Sequence, residues 1–303
     1  MCAVAKKGTV IKMQSEVQDL IDRINKHKTK MSKGQKAISE YIIKNYDKAA
    51  FMTAAKLGKT VGVSESTVSR YAVQLGYDGY PELQKAFQGL IKNKLTTIQR
   101  MELSSEQDGA DILKNVLKAD INNIKSTLEN IDSTAFERVV RKICSAENVY
   151  LMGVRSAATT VEFMGYYLNF LLDNVHVITS GINDIVEQLS HIKKGDILIA
   201  FSFPRYARRA VDGAEYAKKC GASITVITDS EYSPLVPFAD DVLYAKSDMA
   251  SFVDSLVAPL SLVNALLIAV STENKNQAVN NFRNLENIWH QYGVYTEKDD
   301  KDN

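Results

Sequence analysis

The chain has 303 residues, a length that ordinarily holds two domains. Hydrophobic residues make up 45% and charged residues 24%, which excludes a disordered or fibrous protein. The net charge is +1, but residues 1–100 hold 18 Lys and Arg against 8 Asp and Glu, whereas the remainder holds 19 against 28. A basic first third indicates a part that meets a polyanion, although abundant surface lysine gives the same count without such a partner.

Three features predict a cytoplasmic protein with no membrane span, no metal and no cofactor. The most apolar run, Leu256–Val270, has 15 residues, fewer than the about 18 of a membrane-spanning helix. The first residues show no secretory signal. The three cysteines, Cys2, Cys144 and Cys220, are odd in number and far apart, which matches neither a disulfide framework nor a set of metal ligands.

The apolar residues follow two successive patterns along the chain. Residues 1–14 have little periodicity and predict a flexible leader. Residues 15–92 repeat apolar side chains at helical steps, which predicts an all-α N-terminal domain. Residues 93–110 are polar and mixed, and they predict a linker with a helical start.

Residues 111–293 predict an α/β domain, and residues 294–303 predict a flexible, charged tail. Two helices come first, over about 111–128 and 134–145. Strands are then predicted at 148–154, 175–178, 196–202, 223–228 and 241–245, with helices at 156–172, 182–191, 206–220, 253–271 and 274–292. Strands that alternate with helices predict a doubly wound, five-stranded parallel sheet covered on both faces.

The stretch Thr53–Leu75 predicts two helices joined by a tight turn. Thr53 and Ser64 are residues of the type that caps a helix N-terminus, and Gly62 allows the sharp corner between the helices. The inner face of the second helix carries its apolar residues, Val68, Tyr71, Ala72 and Leu75. Together these features predict a helix-turn-helix.

A helix-turn-helix places its second helix in the major groove of DNA. Short hydroxyl side chains approach phosphates and bases closely, and arginine bonds a guanine edge or a phosphate. We therefore expect contacts with double-stranded DNA from Lys56, Lys59, Ser64, Ser66, Thr67, Ser69 and Arg70. The alternative is a structural helix pair within a bundle.

The segment KTVGVSESTVSRYAVQLGYDGYPELQKAF resembles the N-terminal helix-turn-helix of the RpiR family of bacterial transcriptional regulators. The family pattern is a Val-Ser turn and cap, a recognition helix, and an exit of the form Leu-Gly-Tyr-x-Gly-Tyr/Phe-Pro-Glu-Leu. In this chain the exit runs from Leu75 to Leu83. The resemblance implies a compact helical domain, from about 15 to 92, that binds DNA.

Polar or cationic loops follow three of the predicted strands: Gly153–Ala158, Ser202–Arg208 and the segment from Thr228. Ligands bind open parallel sheets at the carboxyl ends of strands, near the point where strand order reverses. We expect the loops after strands one and three to be adjacent, with Ser156 capping its helix and the free helix amides holding an anion. The predicted effector site is Arg155, Ser156, Ser202, Arg205, Tyr206 and Arg208. The alternative is that these residues are ordinary turns, caps and surface charges.

Residues of about 125–275 resemble an SIS (sugar isomerase) domain, which RpiR regulators carry as an effector sensor. The resemblance rests on GVRSAA, KKGDILIAFS, AKKCGASITVITDSEYSPLVPFADDVL and SFVDSLVAPLSLVNALL. In SIS domains, a first-loop hydroxyl and a Ser-x-Ser-Gly-x-Thr-like second loop hold the phosphate of a phosphosugar. Ser156 and Ser202 match that pattern, whereas Pro204, Arg205 and Ala207 stand where Ser, Gly and Thr are usual. The resemblance implies an anionic sugar derivative, and the arginines suit a phosphosugar or a sugar acid.

An SIS-type sugar-phosphate isomerase is the main alternative function. Isomerisation needs a general base beside the reacting carbons. The four histidines lie outside the predicted strand-end loops, and Glu162 and Glu231 are typical of surface charges. We therefore expect a sensor rather than an enzyme. A structural DNA-binding protein is a third possibility, but it leaves the sheet pocket without a role.

The sequence thus predicts a cytoplasmic, ligand-responsive transcriptional regulator. We expect a homodimer or a dimer of dimers, associated through the sheet domain. A dimer places two recognition helices on successive major grooves, so the operator is expected to be an inverted repeat.

Overall fold

The computed structural model describes residues 23–91, 96–104, 111–181, 183–249 and 251–295. The described residues form two compact units. The first reaches Ile112 and includes residues 251–253, and the second holds the remainder from Leu113 onward. The predicted leader, 1–14, lies outside the described residues, as do residues 296–303 of the predicted tail.

The first unit is helical, as predicted. Its helices are α1 (Lys33–Lys44), α2 (Tyr46–Ala49), α3 (Ala54–Val61), α4 (Glu65–Gln74), α5 (Tyr80–Ile91) and α6 (Thr97–Ser104). Helix α6 lies within the segment that the sequence predicts as a linker. It begins with a reciprocal cap, because the Thr96 N–H donates to Gln99 Oε1 at 2.8 Å and the Gln99 N–H donates to Thr96 Oγ1 at 3.2 Å.

The second unit is an α/β domain with five strands. Its elements in chain order are α7 (Ile112–Asn130), α8 (Ser133–Ser145), β1 (Val149–Gly153), α9 (Ala157–Leu171), β2 (Val175–Ile178), α10 (Ile185–Gln188), β3 (Ile197–Phe201), α11 (Arg208–Lys219), β4 (Ser223–Thr228), β5 (Asp241–Tyr244), α12 (Val257–Glu273) and α13 (Lys275–Tyr292). The strands form one parallel sheet in the order β2-β1-β3-β4-β5. The predicted doubly wound parallel sheet is therefore confirmed.

Helices cover both faces of this sheet. Helices α8, α9 and α12 pack on one face, and α10 and α11 pack on the other. All five residues of β1 and all five of β3 are buried, which explains why their sequences are continuously apolar. The described residues of the segment 182–191, predicted as a longer helix, contain only the single turn α10, which ends at Gln188 before the chain returns to β3.

Among the described residues, no single helix is both long and apolar enough to cross a membrane. The pair α12 and α13 meets that test only when joined, and the two helices are bent by 104°. Helix α12 places Leu262, Val263 and Leu266 in the core of the second unit.

Candidate functional site

Helices α3 and α4 meet at a tight corner, and the predicted caps are confirmed. Thr53 Oγ1 accepts from the Lys56 N–H at 3.2 Å, and Ser64 Oγ accepts from the Thr67 N–H at 3.3 Å. Gly62 turns the chain with a left-handed φ of 78°. A Cβ on Gly58 would lie 2.8 Å from the Val63 carbonyl oxygen, so glycine there allows the turn to fold back against α3.

The inner face of α4 anchors the helix, and its outer face is open. The predicted inner residues, Val68, Tyr71, Ala72 and Leu75, are all buried. Of the predicted DNA contacts, Lys56, Lys59, Ser64, Ser66 and Arg70 are exposed, and Thr67 and Ser69 are partly exposed. The Ser64 hydroxyl lies 2.9 Å from the Ser66 hydroxyl and 2.8 Å from that of Thr67, so these three hydroxyls bond one another. The two lysines and Arg70 therefore supply the cationic groups of this face.

Hydrogen bonds from the exit motif and from the residue after it hold the chain just before helix α3. The Tyr80 hydroxyl donates to the Met52 carbonyl oxygen at 2.7 Å, and Gln84 Nε2 donates to the same oxygen at 2.9 Å. Burial raises the pKa of Tyr80 to about 12. The family-like exit thus joins α5 to the residue that immediately precedes the α3 cap.

Strands β1 and β3 are neighbours, as predicted. Gly153 at the end of β1 is in register with Phe201 at the end of β3. Helices α9 and α11 follow the two strands, and the strand order reverses between them. The loops after β1 and β3 therefore lie side by side at the carboxyl ends of the strands, where a doubly wound sheet binds its ligand.

Each of these two loops holds an arginine in the left-handed region. Arg155 has φ 60° and Arg205 has φ 65°, and no other non-glycine residue in the described segments has a positive φ. Both are exposed, whereas Pro204 beside Arg205 is buried. A bulky side chain in this region is strained, and such residues cluster at functional sites. The strain thus coincides with two of the predicted effector contacts.

The cap predicted for Ser156 is wrong. Ser156 lies at the N-cap position of α9, but its dihedral angles are already helical, φ −60° and ψ −31°, and its hydroxyl makes no capping bond. The left-handed turn at Arg155 sets the chain into helical geometry one residue early. Helix α11 also lacks a side-chain cap, because Ala207 holds its N-cap position. The helices that follow β1 and β3 thus present N-terminal amides without a side-chain acceptor.

Hydrogen bonds join the loop after β3 to the loop after β4. The Thr228 hydroxyl donates to the Ser202 carbonyl oxygen at 2.6 Å, and both residues are buried. The Tyr206 hydroxyl donates to Asp229 Oδ1 at 2.7 Å. Lys246 Nζ donates to the Asp229 carbonyl oxygen at 3.1 Å. Asp229 was not among the predicted site residues, and only its position after a strand could have indicated it.

Arg208, the remaining predicted effector contact, is the first residue of α11. Its Nε lies 3.8 Å from Asp212 Oδ2, and both side chains are largely exposed. A cation in the first turn opposes the helix dipole, and an exposed pair of this kind adds little to stability. The charge of Arg208 therefore remains available to an anion at the start of α11.

A groove of about 430 Å³ lies at the amino ends of β3 and β4. Its two lysines are paired with carboxylates, because Lys142 bonds Asp241 at 2.7 Å and Lys218 bonds Asp240. Burial alone would raise the pKa of Asp240, but hydrogen bonds from Lys218 and the Ile224 N–H outweigh it and hold the pKa below its ordinary value. Both lysines that line this groove are therefore engaged in ion pairs within the domain.

The two candidate catalytic carboxylates are exposed. Glu162 lies on the outer face of α9, and Glu231 lies in the loop after β4. No group of three or more His, Cys, Asp or Glu residues in the described part of the chain is placed to hold a metal ion.

Two family models match the chain in the order of its two units. A helix-turn-helix domain of the rpiR family matches residues 18–94, and an SIS domain matches residues 142–269. An uncharacterized HTH-type transcriptional regulator of Clostridium perfringens is 23% identical over 266 residues, 86% of this chain and 95% of that protein. The HTH-type transcriptional regulator HexR of Pseudomonas aeruginosa is 23% identical over 262 residues, 84% of this chain and 90% of HexR.

Solved structures agree with these two family matches. The sugar isomerase domain of an RpiR transcription factor from Sphaerobacter thermophilus has a TM-score of 0.56 at 29% identity, covering 58% of this chain and 99% of that one. Vibrio vulnificus NanR complexed with ManNAc-6P has a TM-score of 0.55 at 20% identity, covering 92% of this chain and 100% of NanR, which shows a shared fold. The chain therefore belongs to the RpiR family of helix-turn-helix transcriptional regulators and carries an SIS domain as its second part.

Proposed function

We propose that this regulator acts in the cytoplasm, binds an operator through α4, and senses an anionic sugar derivative at the carboxyl ends of β1 and β3. One observation carries the proposal. Two adjacent strand ends each hold an arginine in the left-handed conformation, and each leads into a helix without a side-chain cap.

Three kinds of group at this edge favour an anion. The uncapped N-termini of α9 and α11 offer backbone N–H groups and the positive ends of two helix dipoles. Arg155, Arg205 and Arg208 add charge that a phosphate or carboxylate accepts through paired hydrogen bonds. The Ser156 and Ser202 hydroxyls complete the proposed anion site.

The neighbouring polar groups favour a sugar as the body of the effector. Asp229 and Tyr206 present a carboxylate and a phenol hydroxyl beside the proposed anion site, and both bond sugar hydroxyls readily. NanR, which shares the fold, was solved with ManNAc-6P, a sugar phosphate. We therefore expect a phosphosugar before a sugar acid.

We propose that the SIS domain has no isomerase activity. Glu162 and Glu231 are exposed, which is typical of surface residues rather than of tuned catalytic groups, and the buried Asp229 carboxylate accepts a hydrogen bond from Tyr206. The named relatives reported above are transcriptional regulators. Conversion of a ketose phosphate to its aldose by the purified protein, lost in Glu162→Gln, would contradict this part.

The effector site is tested by calorimetry, after a thermal-shift panel of sugar phosphates and sugar acids. A ligand at 100 times its dissociation constant stabilises the folded chain by about 2.7 kcal/mol. Arg205→Gly keeps a residue suited to the left-handed turn but removes the charge. We expect it to weaken effector binding by about 10- to 150-fold, as the loss of a charge-assisted bond does.

Two further variants make this test specific. Arg205→Lys retains the charge and should recover part of the affinity. Arg209→Ala removes an exposed arginine outside the proposed site and should leave affinity unchanged. Equal affinities of Arg205→Gly and the parent protein would place the ligand elsewhere.

DNA binding is tested with fragments from upstream of the protein's own locus. Arg70→Ala should weaken specific binding by roughly 1–3 kcal/mol if Arg70 contacts a base. Arg141→Ala, which removes an exposed arginine of α8 in the second unit, is the matched control. Binding by the parent protein should fall as salt rises, and failure to bind any of the fragments would remove the DNA-binding part of the proposal.

A further inference from the structure

Helix α1 begins beside the helix that is proposed to enter the major groove. A Cβ added to Gly34, the second residue of α1, would lie 3.1 Å from Val63 Cγ1 and 3.5 Å from Thr67 Cγ2. Val63 lies in the turn before α4, and Thr67 lies in the first turn of α4 and is one of the proposed DNA contacts. All three residues are partly exposed, so the start of α1 belongs to the same surface as the start of α4.

Two further contacts hold α1 in this place. A capping box closes its first turn, because the Gln35 N–H donates to Ser32 Oγ at 3.4 Å and the Ser32 N–H donates to Gln35 Oε1 at 2.9 Å. Farther along the helix, the buried Ser39 hydroxyl donates to the Tyr71 hydroxyl of α4 at 3.1 Å. The start of α1, with Lys33, is therefore fixed relative to α4 by the fold of the first unit.

Lys33 carries a positive charge that the described part of the protein does not neutralise. It directly precedes Gly34 and is exposed. Within the described residues, no ion pair includes Lys33, and none includes Glu65, the exposed carboxylate in the first turn of α4. Lys33 thus adds a cation to those that α3 and α4 supply at this surface.

The position of Lys33 suits the DNA backbone rather than the bases. A helix that lies in the major groove, which is about 12 Å wide, has the phosphates of both strands at its two sides. The outer face of α4 is proposed to meet base edges, whereas Lys33 belongs to a helix that packs beside α4. Lysine is a flexible point charge, which binds a phosphate without the planar, forked geometry with which arginine recognises its partners.

We propose that Lys33 binds a DNA phosphate at the edge of the groove that α4 enters. The DNA-binding surface then consists of α1, α3 and α4, and Lys33 positions the protein on the duplex without reading its sequence. The inference rests on the proposed operator binding, and it assigns a contact to α1, which lies outside the helix-turn-helix itself.

The first test is the salt dependence of binding to a DNA duplex of random sequence, measured by fluorescence anisotropy with the full chain. Each phosphate contact steepens the slope of log K against log salt concentration by about 0.9. Lys33→Gln should therefore flatten the slope by about 0.9, which corresponds to an affinity loss of about 5-fold at about 0.15 M salt and about 15-fold at about 0.05 M. Lys33→Arg retains the charge and should keep the slope of the parent protein.

Lys44→Gln is the matched control for this test. Lys44 is an exposed lysine on the same side of α1, but it lies at the other end of the helix, about 16 Å from Lys33. The substitution removes the same charge and should leave both the slope and the affinity unchanged. Equal losses in the two variants would mean that the net charge acts rather than a local contact, and they would overturn the inference.

The second test asks whether the contact depends on DNA sequence. Lys33→Gln should lose the same factor in affinity on the random duplex and on an upstream fragment that the parent protein binds specifically, as a phosphate contact does. A loss confined to the specific fragment would mean that Lys33 reads a base, and it would overturn the assignment. Thermal unfolding of Lys33→Gln should match that of the parent protein, because the side chain is exposed.

The outcomes also separate this inference from the proposed function. A Lys33→Gln protein that binds both duplexes with the slope and affinity of the parent protein overturns the inference and leaves operator binding through α4 in place. A parent protein that binds neither duplex removes the proposed DNA binding and this inference together. A flatter slope in Lys33→Gln alone, equal on both duplexes, supports the phosphate contact.

Discussion

Helices α4 and α9 begin at the same residue type but in different ways. Ser64, at the N-cap of α4, has extended dihedral angles, and its hydroxyl accepts the Thr67 N–H. Ser156, at the N-cap of α9, is already helical and caps nothing. The difference begins one residue earlier, because Arg155 is left-handed and sets the chain into the helix. The Ser64 hydroxyl therefore has a structural role as a helix cap. The Ser156 hydroxyl makes no capping bond, because the left-handed turn before it already sets the start of the helix.

The inner faces of the two helices differ as well. Helix α4 buries an ionisable residue, Tyr71, to which Ser39 donates a hydrogen bond at 3.1 Å. The residues that α9 buries are Ala157, Thr160, Val161, Met164, Gly165, Leu168 and Leu171, none of which titrates. High pH should therefore affect the first unit through α4 and leave the packing of α9 unchanged.

The largest expected effect is a loss of stability of the first unit at alkaline pH. Burial raises the pKa of Tyr71 to about 12, against the smaller opposing effect of the Ser39 hydrogen bond. A phenol whose pKa is raised by folding contributes full stability below its unfolded pKa near 10, and this contribution is lost as the pH rises through 12. We expect Tyr71 to account for a loss of about 2 kcal/mol by pH 12.

Urea unfolding between pH 8 and 12 measures this loss. Circular dichroism reports both units, whereas the single tryptophan, Trp289 on α13, reports the second. Tyr71→Phe should remove about half of the loss in the first unit, because burial also raises the pKa of Tyr80 to about 12. Tyr166→Phe, an exposed change on α9, should leave the slope as it is, and an unchanged slope in Tyr71→Phe would contradict the assignment.

A smaller effect tests the left-handed turn before α9. Arg155→Gly should be more stable than Arg155→Ala by about 1–2 kcal/mol, since alanine keeps the steric cost of a positive φ and glycine does not. Both changes remove the charge and should weaken effector binding equally. Thermal unfolding of the two variants measures the difference, and equal stabilities would mean that the turn carries no strain.

The smallest effects compare the two serines directly. Ser64→Ala should cost about 1 kcal/mol of stability, the usual loss on removing an N-cap. Ser156→Ala should leave stability within about 0.5 kcal/mol, but it should weaken effector binding by roughly 2- to 10-fold, as the loss of one neutral hydrogen bond does. Chemical denaturation and calorimetry of both variants decide the matter, and a stability loss in Ser156→Ala would mean that its hydroxyl is structural.

The sequence predicted the sheet well because each strand carries its own signal. Strands β2 and β4 have the predicted bounds, and β1 and β3 are one residue shorter at each end. A short apolar run between turns leaves few positions at which a strand can begin or end. The cap, the turn and the inner face of α4 are predicted equally well, because the capping residue, the glycine and the apolar spacing are all local sequence signals. The sequence predicts helix α6 only as the helical start of a linker, because its Thr96–Gln99 cap lies within a polar segment.

The geometry of the candidate effector site is only partly predictable from the sequence. Adjacent placement of the loops after β1 and β3 followed from the doubly wound topology. The left-handed conformations of Arg155 and Arg205 cannot be predicted from the sequence, because arginine rarely adopts them and no glycine or asparagine marks the positions. The bond of Asp229 to Tyr206 cannot be predicted from sequence, because it joins residues 23 positions apart in two different loops.

Lys246 links helix α7 to the loop after β4. Its backbone N–H bonds Thr127 on α7, and its ammonium group bonds the carbonyl oxygen of Asp229 beside the proposed effector site. A ligand that shifts Asp229 would therefore act on a residue that also bonds α7. Thermodynamic linkage makes such an influence mutual, so any factor by which the effector alters the docking of α7 is the factor by which that docking alters effector affinity. Substitutions at the contact between Lys246 and α7 would then change the affinity for the effector from outside its site.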